Sequence, residues 1–331
     1  MRGQRSVTDP RPVSNPPLHA AIDVHAHFVT PRLREAMIAS GHGQPDGMPE
    51  IPQWDPQTAL AMMDRTGISA AVLSVSSPGV LLSDDPVDVR DLARSVNEEG
   101  AGVVAKYPDR FGLFASLPLP DVPSAIAEIR HALDDLGADG IALETQYRGI
   151  YLGAAEFEPV MQELNDSAAV VHIHPTSPAC WPQTSLGRPR PMIEFLFDTT
   201  RALTSLALNG VLDRHPDIRF IVAHSGAALP VLADRIAAFA FTENPQQPVD
   251  VLGALRRLHY DVAGFALPRA LSALLGLVTT DRLLYGSDYP FTPDWAAHGL
   301  AEALAGTDVL TDDDRALLSR GNAVSLFPRL A

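Results

Sequence analysis

Short apolar runs recur along the chain at residues 20–24, 70–75, 111–117, 140–143, 169–173, 218–223, 258–262 and 282–285. Most are continuous rather than alternating, the pattern of parallel strands covered on both faces. Between them lie segments of helical period at residues 89–106, 123–136, 157–165, 199–214, 230–241 and 268–278. Pro123 and Pro268 stand near helix starts, where a missing N–H costs little, and Gly137 and Gly210 stand at or near helix ends. Eight strand-then-helix units predict an α/β fold, a (β/α)8 TIM barrel, over an open doubly wound sheet, and no G-x-G-x-x-G follows the first run. Residues 1–18, with four prolines and few apolar positions, read as a flexible lead-in, and residues 19–331 as one barrel domain. Residues 32–57 carry three glycines and four prolines, which predicts a long loop over the carboxyl end of the first strand.

Composition narrows the partners. With 46% hydrophobic and 20% charged residues in a chain of 331, a large core can form, and no segment approaches the roughly 18 uninterrupted apolar residues of a membrane span. A net charge of −15 disfavours nucleic acid or an anionic membrane as the main partner. One cysteine, Cys180, excludes an internal disulfide, and the arginine- and proline-bearing start has no apolar signal-type core, so the expected location is cytoplasmic. Of the 25 basic residues, 24 are arginine and one is lysine, Lys106. A Schiff-base or carbamylated lysine would have to be Lys106, which precedes the third strand, at the barrel end facing away from a TIM-barrel site.

Candidate chemistry collects at strand ends. His25 and His27 stand two apart at the end of the first run and share a face. His174 closes the fifth run, His224 closes the sixth, and Asp288 follows the eighth. A closed barrel brings these five side chains to one rim, and imidazole with carboxylate suits a divalent metal, zinc first, with manganese or iron tolerated. His172 would share the face of His174, and reads as a supporting or packed histidine rather than a ligand. Glu144 ends the fourth run and reads as a salt-bridged rim carboxylate rather than the bridge to a second metal. His42, in the predicted loop, is a lesser candidate for reaching substrate. Arg235, on the helix after the sixth strand, is by default a solvated arginine.

These residues together resemble the amidohydrolase superfamily, amidohydrolase-related family 2, in the branch typified by aminocarboxymuconate semialdehyde decarboxylase. The resemblance runs from about Ile22 to Leu326. It rests on Asp23-Val24-His25-Ala26-His27, Trp54-Asp55-Pro56, Val171-His172-Ile173-His174-Pro175, Ala223-His224-Ser225-Gly226, Gly286-Ser287-Asp288-Tyr289-Pro290 and Gly321-Asn322-Ala323. It implies that His25, His27, His174 and Asp288 hold one divalent metal, with Asp288 also serving catalysis and His224 acting as acid or base. It implies that Arg235 reaches a substrate carboxylate in a neighbouring subunit, hence a homodimer or dimer of dimers. The branch's first-loop arginine is missing, since no arginine occurs from Glu35 to Asp64. The stretches around His174-Pro175-Thr176 and Phe195-Leu196-Phe197-Asp198 look more like the 6-methylsalicylate decarboxylases.

A metal beside a titratable histidine serves two reaction classes. One is non-oxidative decarboxylation of a small aromatic or unsaturated carboxylic acid, without organic cofactor. The other is hydrolysis of an amide, lactone or ester by a metal-activated water. The resemblance favours decarboxylation. A non-catalytic metal protein would not need His224.

Overall fold

The computed structural model describes residues 17–331, so most of the expected lead-in, residues 1–16, lies outside the described residues. Eight parallel strands form one sheet: β1 Ala21–His27, β2 Ile68–Ser74, β3 Phe111–Ser116, β4 Gly140–Glu144, β7 Val170–His174, β8 Arg219–Val222, β9 His259–Asp261 and β10 Leu283–Leu284. The short hairpin β5 Gln146–Tyr147 and β6 Ile150–Tyr151 stands outside this sheet. Ala26 bridges to Tyr289, and the His27 N–H donates to the Tyr289 carbonyl at 2.7 Å, closing the ring. The eight apolar runs are thus the eight strands of a TIM barrel.

Two departures from the sequence reading have local causes. The predicted loop at 32–57 contains a helix, Pro31–Ala39, whose first turn is capped by Thr30 and opened by Pro31, and which buries Leu33 and Met37 one turn apart. The single segment predicted at 199–214 is two helices, Glu194–Leu208 and Val211–Arg214, because Gly210 takes a left-handed φ of 69°.

Inside the ring, Ile22, Val24, Val72, Phe114, Val170 and Ile221 pack against Ala323, Leu326, Phe327 and Leu330, so the C-terminal segment plugs the amino-terminal end of the barrel. The outer core lies between strands and surrounding helices and includes Ala21 and Ala26 of the same strand β1 and Phe28 just after it. Ile22 and Val24 therefore face inward while Ala26 and Phe28 face outward. The register of β1 against β2 shifts between Asp23 and Ala26, and this irregularity turns His25 and His27 to the interior instead of Ala26.

Candidate metal centre

With His25 and His27 turned inward on β1, His174 ending β7 and Asp288 following β10, one ligand atom from each of the four lies within 4.8 Å of all the others. His25 Nε2 is 3.2 Å from His27 Nε2, and Asp288 Oδ1 is 3.1 Å from His27 Nε2 and 3.6 Å from His25 Nε2. Donors roughly 2.0–2.2 Å from a common tetrahedral centre stand about 3.3 Å apart, so these spacings fit a divalent ion. The charge state fits as well. Burial pushes His25 down to about 4, against the pull of Asp261, and pushes His174 well below the ordinary histidine range, leaving both imidazoles neutral and free to ligate. At Asp288 burial opposes ionisation, but the neighbouring His224 and His27 imidazoles prevail and hold the carboxylate well below its usual range.

Behind the ligand atoms lies a residue that sequence reasoning missed. Asp261, fully buried at the end of β9, accepts from His25 Nδ1 at 2.9 Å and from His172 Nε2 at 3.1 Å through Oδ2. Its Oδ1 accepts the backbone N–H groups of His224 and Ala263, each at 3.0 Å. One carboxylate thus fixes the tautomer of His25 and the turn that carries His224. An aspartate inside the seventh run, at residues 258–262, was the available signal. His172, stacked on Phe114 with centroids 5.5 Å apart, faces Asp261 rather than the ligand cluster. Although His25, His172 and Asp261 also lie close together, their atoms are already joined by hydrogen bonds. On the opposite side, His27 Nδ1 lies 3.0 Å from Ser74 Oγ.

His224 and Asp288 both occupy left-handed backbone, with φ of 56° and 59°, a conformation that costs a non-glycine residue energy and persists where surroundings impose it. His224 Nε2 stands 3.7 Å from Asp288 Oδ2. Burial disfavours the imidazolium here, but Asp288 and then Asp261 outweigh it, raising the His224 pKa above the ordinary histidine value. Close approach around the centre requires Gly286, where a Cβ would come within 2.8 Å of the His25 Cβ. Asp23 ties the same strands together: it accepts the N–H groups of His25 and Ser287, each at 3.0 Å, and burial raises its carboxyl to about 7.

Above the cluster opens a cavity of about 550 Å³, reached by His174, His224 and Asp288 and walled by Phe195, Phe265 and Phe291 among other apolar groups. No lysine or arginine is among the described residues lining it. His42 lines a neighbouring cavity of about 440 Å³ instead, hydrogen-bonded to Ser40. Arg235 is exposed on helix Leu229–Glu243, packed over the Phe239 ring at 5.1 Å, and does not line its own chain's cavity. Lys106 ends helix Pro86–Lys106, just before β3 and away from the site. Glu144 corrects the reading of a salt-bridged rim group: its side chain is only 12% exposed, no arginine among the described residues pairs with it, and its nearest titratable neighbour is the neutral His174, with Nδ1 at 3.8 Å. Burial, with Asp46 and Asp198 nearby, raises its pKa well above the usual carboxylate value.

Comparison with known proteins gives the family and the fold. The chain is 36% identical to decarboxylase yanB of Aspergillus niger over 93% of this chain and 87% of that protein. It is 34% identical to the 6-methylsalicylic acid decarboxylase of Penicillium expansum over 94% and 97%. A crystal structure of an amidohydrolase II superposes with a TM-score of 0.88 at 37% identity, covering 92% of this chain and 99% of the other. The model of the amidohydrolase family matches residues 22–329, and the chain belongs to that family.

Proposed function

We propose that this protein is a non-oxidative decarboxylase of a small aromatic carboxylic acid, a hydroxybenzoate of the 6-methylsalicylate type, working with one divalent ion held by His25, His27, His174 and Asp288. The observation that carries the reading is the placement of His224, whose pKa Asp288 and Asp261 raise, beside that cluster at the floor of an apolar, aromatic-walled cavity. The 6-methylsalicylic acid decarboxylase similarity supports the substrate class. Three imidazoles and a carboxylate suit zinc, with manganese or iron tolerated, and no organic cofactor is required. The ion, when bound, supplies Lewis acidity toward an anionic carboxylate and an adjacent hydroxyl.

The chain's own residues do the rest. Phe195, Phe265 and Phe291 receive the ring and limit water around its carboxylate, which favours conversion to neutral carbon dioxide. His224 Nε2, kept protonated by Asp288, delivers its proton to the ring carbon that bears the carboxylate. As the carbon–carbon bond breaks, its electron pair returns to the ring, and the proton takes the place of the departing carbon dioxide. Asp261 holds His224 by its backbone N–H so that the imidazole keeps its position through the transfer.

Among the described residues no lysine or arginine lines the cavity, and the carboxylate-binding guanidinium is assigned to Arg235 of a neighbouring copy in a homodimer or dimer of dimers. Val231, Phe239 and Phe241 around Arg235 are 75%, 57% and 54% exposed, an apolar surface suited to cover by a second subunit. Residues 19–331 would act as one catalytic domain. A cytoplasmic location rests on the single, exposed Cys180; among the described residues no helix is long and apolar enough to cross a membrane. The deciding experiment offers the purified protein 6-methylsalicylate and other hydroxybenzoates and measures released carbon dioxide. Hydrolysis of lactones or amides without decarboxylation would replace this reading.

A further inference from the structure

The three ligand-type imidazoles are not equally supported. A histidine that ligates through one ring nitrogen carries a proton on the other, and that N–H needs an acceptor. His25 Nδ1 has Asp261 at 2.9 Å, and His27 Nδ1 has Ser74 Oγ at 3.0 Å. His174 Nδ1 is buried without a hydrogen-bond partner, and so is Glu144 Oε2, and the two stand 3.8 Å apart. Their meeting is built into the sheet: Glu144 on β4 pairs directly with His174 on β7, and in-register neighbours of parallel strands point to the same face. Glu144 is also held from behind. Gly79, at a φ of 73°, leaves room for its carboxylate, where a Cβ would lie 3.0 Å from Oε1, and the Glu144 N–H donates to the Tyr147 hydroxyl at 3.0 Å.

We propose that Glu144 is a positioning residue for His174, and that His174 offers Nε2 to the ion while its Nδ1–H donates to Glu144 Oε2. Closing the gap takes a shift of about 1 Å, which brings the pair into hydrogen-bond range. The role differs from that of Asp261, since Glu144 supports one ligand and touches no other part of the cluster. This inference rests on the proposed ion site, so its test reads metal binding rather than turnover.

Zinc affinity of the full-length protein would be measured by competition against a chromophoric chelator, for the parent, Glu144→Ala and Glu144→Gln. Glu144→Ala is expected to weaken zinc binding about 10- to 100-fold. Glu144→Gln keeps the size and one acceptor oxygen, so it should recover part of that loss, and it remains informative if the alanine variant does not fold. The cobalt-substituted absorption spectrum should shift in Glu144→Ala and move back toward the parent in Glu144→Gln. Parent-like zinc affinity in both variants, or an unchanged cobalt spectrum, would overturn the positioning role while leaving the ion site intact. A parent chain that takes up no zinc, manganese or iron would overturn both together.

Discussion

The two ends of the barrel interior are made from the same strands and have opposite chemistry. At the amino-terminal end, Ile22, Val24, Val72, Phe114 and Val170 meet the plug formed by Leu326, Phe327 and Leu330. At the carboxyl end, the same ring is filled by His25, His27, His172, His174 and Asp261, each at most 2% exposed. On β7 the change takes place within one strand, from Val170 to His172 and His174 at steps of two. The plug end gains from apolar burial and close packing. The other end takes up buried polar groups that are tolerable only while hydrogen-bonded or bound to an ion. One end stabilises the ring and the other uses that rigidity to hold a reactive geometry.

The sharpest way to break this division is to remove a ligand. His25→Ala or His174→Ala should lose the tightly bound ion and with it all measurable decarboxylation, whereas the parent should carry one ion per chain by elemental analysis. Two tightly held ions per parent chain would contradict the single-site reading. Next in size, His224→Ala should keep its ion but lose about 10²- to 10⁴-fold in turnover. If it empties the site as the ligand variants do, His224 belongs to the ligand set instead. From the plug end, Phe327→Ala should cost about 3–5 kcal/mol in denaturant unfolding while the folded protein keeps its ion stoichiometry. Loss of the ion in that variant would mean that the two ends are not separable.

Smaller effects concern what surrounds the barrel. Arg235→Ala should raise KM without changing ion content. Inactive His224→Ala chains mixed with high-KM Arg235→Ala chains should produce a share of sites with parent-like KM if each site borrows its arginine from a neighbour; no such recovery, or a fully active monomer in sedimentation, would rule the borrowing out. The mildest concerns acid. Glu158, bonded to Arg214 and, despite some desolvation, also to His215, has its pKa lowered to about 2. Its contribution to stability is present above its ordinary value near 4.5 and fades as pH falls through that value toward 2. Glu158→Gln should flatten this part of the acid-unfolding curve, by a small amount because the pair is largely solvated.

The strands were legible because most are continuous apolar runs, and the strand-end histidines and Asp288 because the barrel topology sends such positions to one rim. The irregularity in β1 was not. Alternation counted from Ile22 and Val24 would put Ala26 inside and His25 and His27 outside, and only the shifted pairing with β2 reverses this. Glu144 was misread for a similar reason: sequence marks it as charged and at a strand end, but not that β4 pairs it with His174. The helix at Pro31–Ala39 was hidden because its buried side is only Leu33 and Met37, too narrow a stripe beside the glycines and prolines that follow.

The closure of the ring through Ala26 and Tyr289 has a consequence for how the protein is made. During synthesis His25 and His27 emerge first, then His174 and last Asp288, so the four-fold cluster cannot exist until the chain through Asp288 is available. Contacts this far apart in sequence form late, after most loop-closure entropy has been overcome. Capture of the proposed ion would therefore mark completed topology, and a nascent chain that stops before Asp288 would hold too few donors to compete for it.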